Sequence, residues 1–116
     1  MAKTKIDAVS FTGTSGRAYD FRIYVWETRF KSLPGVYLVA SRSREPGDKP
    51  RYSPLFVGPA DDLSKALKAH ARRDCFQLHY ANVIGVLKEP DARAREEIVA
   101  DLIGALHPPC NAADAD

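Results

Sequence analysis

Apolar and polar positions alternate through residues 9–26, VSFTGTSGRAYDFRIYVW, where Tyr19, Phe21, Ile23 and Val25 are interleaved with Asp20, Arg22 and Tyr24. A period of two is that of a half-buried strand. Gly13, Thr14, Ser15 and Gly16 supply the turn of an N-terminal hairpin. SLPG then breaks the chain, and the apolar run GVYLVAS, 35–41, predicts a buried strand. Residues 43–54 hold three prolines and a glycine and predict a mobile polar loop. LFVG, 55–58, predicts a short strand. In PADDLSKALKAHARR, 59–73, the spacing changes: Leu63, Ala66, Leu67 and His70 recur at helical intervals behind Asp61 or Asp62 as cap. ANVIGVLK, 81–88, predicts another strand, ended by Glu89-Pro90. DARAREEIVADLIGAL, 91–106, predicts a second helix with Ile98, Val99, Leu102, Ile103 and Leu106 as its apolar stripe. Acidic residues suit its N-terminus, and HPPCN stops it.

The order hairpin, strand, strand, helix, strand, helix predicts an α+β fold: a small central antiparallel or mixed sheet flanked by helices and preceded by the hairpin. With 116 residues the expectation is one domain, 1–116. Within it, 1–32 form the hairpin extension, 33–111 the core and 112–116 a frayed tail.

Composition narrows the class. An apolar share of 45% and a charged share of 28% are ordinary for a soluble globular protein. No apolar run reaches the ~20 residues of a membrane span, and the lysine-bearing start lacks the apolar region of a secretory signal. Cys75 and Cys110 give no disulfide framework, so the expectation is a bacterial-type cytoplasmic protein with reduced thiols. Cys75 and His79 are four apart and could bind zinc, with His70, His107 and Cys110 needed as further ligands, but no pair has structural-zinc spacing. The net charge of +2 is unevenly spread. Residues 42–73 hold eight Lys/Arg against four Asp/Glu, and residues 74–116 hold three against eight. The middle segment could present a basic face to a polyanion through Arg42, Arg44, Arg51, Lys65, Lys68 and Arg72.

GVY at 35–37 and FVG at 56–58, ahead of a helix, resemble the two triplets of the GIY-YIG nuclease domain. VGPADDLSKALKAH, 57–70, is similar to that family's capped basic helix ending in histidine. DLIGALHPPCN, 101–111, resembles its closing helix with a proline turn and an asparagine. The resemblance covers roughly 33–111 and implies metal-dependent phosphodiester cleavage with Mg²⁺ or Mn²⁺. It implies that Tyr37 helps activate water, that His70 positions water or phosphate, and that Asn111 braces the site. Gly58 matches the second triplet's glycine. Three positions depart. Phe56 replaces a tyrosine and loses its hydroxyl. Ala66 stands where the family has an arginine. Val99 stands where it has the metal-binding glutamate, with Glu96 a turn away as a shifted catalytic and metal ligand.

The expectation is therefore a degenerate GIY-YIG-like domain that binds DNA or RNA, with weak or no phosphodiesterase activity. Two alternatives stand beside it. One is an active metal-dependent endonuclease using Glu96, with Lys68 or Arg72 replacing the arginine. The other is a protein-interaction module, or a homodimer, built on the N-terminal hairpin.

Overall fold

The computed structural model describes residues 5–43, 47, 49–68 and 70–111. Arg44 and the tail 112–116 lie outside them. Five strands form one sheet: β1 (Lys5–Thr12), β2 (Ala18–Val25), β3 (Gly35–Ser43), β4 (Arg51–Ala60) and β5 (Val83–Lys88). The helices are α1 (Arg73–Leu78) and α2 (Ala92–Leu106). The spatial order is β1-β2-β5-β3-β4, and every pairing is antiparallel. The fold is thus a small α+β structure. The N-terminal hairpin does not stand apart from the core, because β2 pairs with β5 and extends the same sheet.

Alternation along the strands builds two cores. Phe11, Tyr19, Phe21, Ile23, Val36, Leu38 and Ala40 meet Ile98 and Leu102 of α2 on one face. Val99, Ile103 and Leu106 pack against the same cluster, so the helical stripe is seated as its periodicity predicts. Tyr37, Val39, Ile84 and Val86 meet Leu63 and Phe76 on the other face. β3 is buried on both sides, which is why GVYLVA reads as unbroken apolar sequence.

Three expectations are corrected. The loop over 43–54 is shorter than its prolines suggest, because Ser43 pairs with Arg51 and Ser41 with Ser53. Pro54 is accommodated on an edge strand at a bulge: Phe56 faces Val39 and Pro54 faces Ala40, leaving Leu55 extra. That extra residue puts Leu55 and Phe56 against the same core.

Within the helix expected over 59–73, Pro59 and Ala60 instead end β4, the described residues from Asp61 to Arg72 form successive turns, and the six-residue α1 starts only at Arg73. Lys65, Ala66, Lys68 and Arg73 donate backbone N–H bonds three residues back, to Asp62, Leu63, Lys65 and His70. Asp62 takes the Ser64 N–H and hydroxyl, and His70 Nδ1 takes the Arg72 N–H. Each side chain replaces a bond that a regular helix would make. Leu63 is nonetheless buried, with Ala66 and Leu67 packed against the same core.

The expectation of free thiols also fails. Cys75 and Cys110 form a disulfide with Cα atoms 5.7 Å apart, tying α1 to the turn after α2. Two cysteines 35 residues apart carry no spacing signal for this; the fold brings them together.

Candidate functional site

The strand β3 aims Tyr37 at the face opposite α2. Its hydroxyl lies 2.7 Å from His70 Nε2. His70 Nδ1 accepts the Arg72 N–H at 3.0 Å, so that nitrogen carries no proton. The ring is then the neutral tautomer protonated on Nε2, which donates to the Tyr37 oxygen. Burial and the nearby Arg72 charge hold the His70 pKa below its usual value, which fits the neutral ring. Burial pushes the Tyr37 hydroxyl up to about 12.

Phe56 stacks on Tyr37 with centroids 5.8 Å apart, and His70 sits edge-on to Phe56 at 4.9 Å. Phe76 closes the group against both Phe56 and His70. Gly58 makes this packing possible. A Cβ there would fall 2.7 Å from the Phe56 ring and 3.1 Å from the Tyr37 ring.

His70 opens onto a depression of about 190 Å³ walled by Trp26, Phe30, Leu67 and Phe76. Arg29, Lys68 and Arg73 line it and are exposed, with Glu27 as the one acid there among the described residues. Tyr37 is 7% exposed and lies behind His70. The contribution of the connection after β2 was missed in the sequence. In WETRFK the rings of Trp26 and Phe30 stand four apart around Arg29; they read as core or hairpin packing, and both do pack against the second core while also walling the depression.

The remaining candidates are spread out. Lys65 is exposed on the turns, and Arg72 is half-buried beside His70. Arg42 and Arg51 lie at the far end of the β3–β4 hairpin. The Arg42 guanidinium is engaged there, since its Nε–H donates to Tyr52 Oη at 2.9 Å. Asn111 accepts the Val57 N–H at 2.8 Å and donates to the Val57 carbonyl at 3.0 Å, capping the outer edge of β4 like a short strand. The Cys110 N–H joins it by donating to the Leu55 carbonyl.

Glu96 is exposed on α2 and lines a separate depression with Asp61, Arg95, Pro59 and Ala60. Asp61 is engaged there by Arg95 at 2.7 Å. Arg95 is 5% exposed and also donates to the Glu89 and Pro90 carbonyls. Mg²⁺ or Mn²⁺ would take several oxygens in octahedral array. A lone free carboxylate beside a guanidinium does not fit that need. Val99 packs into the core under α2.

No protein-family model, curated protein or solved structure matches the chain. No helix among the described residues is long and apolar enough to cross a membrane.

Proposed function

We propose that this chain is a GIY-YIG nuclease-like domain that binds DNA or RNA and has weak or no phosphodiesterase activity. The observation that carries the binding half is the depression beside His70, with three aromatic rings in its wall and three cations on it. Rings offer a stacking surface to any base, and cations take the phosphates. Element order is what supports the family likeness: a β3–β4 hairpin, a run of turns bearing His70 that leads into α1, then β5 and α2.

The weak-activity half rests on proton placement. A general base must accept a proton. His70 Nε2 donates to Tyr37, Nδ1 is filled by a backbone N–H, and Tyr37 is held protonated by burial. Neither group is free to deprotonate water at neutral pH. Supercoiled plasmid tests this. With Mg²⁺ or Mn²⁺ the protein should retard the plasmid at low salt and leave it intact. Metal-dependent nicking that disappears in Glu96→Ala would establish the active endonuclease instead.

The N-terminal hairpin supports homodimerisation as a second partner reading. Asn111 and Cys110 cover the outer edge of β4, whereas β1 is the outer strand at the opposite edge. Light scattering in solution should report twice the chain mass if β1 pairs with its copy. A monomer at high concentration would remove this reading.

A further inference from the structure

Three soft-metal donors converge beyond the His70 depression. Cys75 and His79 stand one helical turn apart, and the His79 N–H donates to the Cys75 carbonyl. Cys110 enters from the turn after α2. The ligand atoms of all three lie within 4.8 Å of one another. Cys110 is fully buried, whereas Cys75 and His79 are half-buried and form the outer side of the cluster. No hydrogen bond or ion pair joins the His79 imidazole to another described residue.

We propose that Cys75, His79 and Cys110 form a thiol-gated zinc site: a disulfide when oxidised and a Cys₂His zinc ligand set when reduced. Two thiolates and an imidazole are a ligand set that suits Zn²⁺, with water completing the tetrahedron. Zn–S and Zn–N bonds of about 2.3 and 2.0 Å hold ligand atoms roughly 3.3–3.8 Å apart. The donors already fall within 4.8 Å and the two cysteine Cα atoms are 5.7 Å apart, so side-chain rotation closes the set.

The chemistry balances with a small dithiol as reductant. The dithiol gives two electrons and two protons, leaves as its own disulfide, and the Cys75–Cys110 bond opens to two thiols. Zn²⁺ then displaces both thiol protons and takes the His79 lone pair. A disulfide oxidant reverses this: it takes two electrons from the two zinc-bound thiolates and two protons from solvent, and leaves as two thiols. The protein S–S bond re-forms and the zinc departs. Either form links α1 to the end of α2. Phe76, beside Cys75, is thereby held against Phe56 and His70.

Cobalt titration tests the site without nucleic acid. The full-length protein is reduced with a phosphine, desalted without oxygen and titrated with Co²⁺. The expected result is one equivalent bound, sulfur-to-cobalt charge transfer, tetrahedral ligand-field bands, and displacement by Zn²⁺. The oxidised protein should show none of this. Cys75→Ser should abolish the charge-transfer signal. His79→Ala should still form the disulfide and should bind Co²⁺ at least tenfold more weakly. Should the reduced metal-free chain lose structure, Zn²⁺ is expected to restore the circular dichroism of the oxidised protein. The proposal is overturned by no uptake at micromolar metal, by equal uptake in His79→Ala, by the same uptake in denaturing urea, or by no restoration with Zn²⁺.

Discussion

Protonating His70 would force its Nδ1 to stop accepting the Arg72 N–H, so the folded protein resists that proton. The lowered pKa of His70 has a defined sign. Its stabilisation is complete above the unfolded value of about 6.5 and is lost as pH falls through the folded one. Denaturant melts from pH 7 downward should show stability falling just below pH 6.5 in wild type, and a flatter profile there in His70→Ala. A second loss belongs below the ordinary carboxylate range. Asp101, with its pKa held well down by bonds from Ser15, Tyr19 and Thr14, must be protonated before it releases the hairpin turn. Gly58→Ala should cost about 1–3 kcal/mol by thermal melting, since the added methyl meets the ring of Phe56, itself packed against Tyr37, His70 and Phe76. The resemblance singled out His70 and Tyr37, and the fold brings their side chains within 2.7 Å of each other. Arg95 was not legible: it sits in a charged helical turn yet is buried, and its partners, exposed Asp61 and the Glu89 and Pro90 carbonyls, belong to other segments.

Whether an element was legible depends on where its hydrogen bonds go. In α2 they run along the helix, Asp91 caps it by accepting the Ala94 N–H, and the apolar stripe repeats at 3.6 residues. The pattern therefore found it with correct ends. Residues 59–73 carry a similar stripe, but the side chains of Asp62 and His70 take backbone N–H groups and turn the chain. Periodicity records which face is buried, not which partner a backbone group chooses. Leu102→Ala, deleting a fully buried side chain between α2 and the sheet, should cost about 2–5 kcal/mol in urea unfolding. Asn111→Ala should cost about 1–2 kcal/mol, because two bonds that cap the β4 edge are lost together.

At the scale of the molecule, one sheet separates two packing layers. α2 secures one face, while the other carries Tyr37, His70, the ring cluster and the disulfide. Of the basic segment 42–73, Arg42 and Arg51 lie at the far end of the β3–β4 hairpin, whereas Lys68 and Arg73 reach the depression beside His70. Their combination with Trp26 and Phe30 required the fold, since Arg29 and Lys68 come from segments 39 residues apart in sequence. Fluorescence-anisotropy titration of labelled single-stranded DNA and RNA at several salt concentrations tests the proposed interface most directly. Wild type is compared with the Arg29→Ala, Lys68→Ala, Arg73→Ala triple variant. Wild type should bind at low salt and weaken steeply as salt rises, and the triple variant should lose about two units of the log–log salt slope. Wild type that does not bind at low salt, or a triple variant that binds as well as wild type, would contradict the proposed interface.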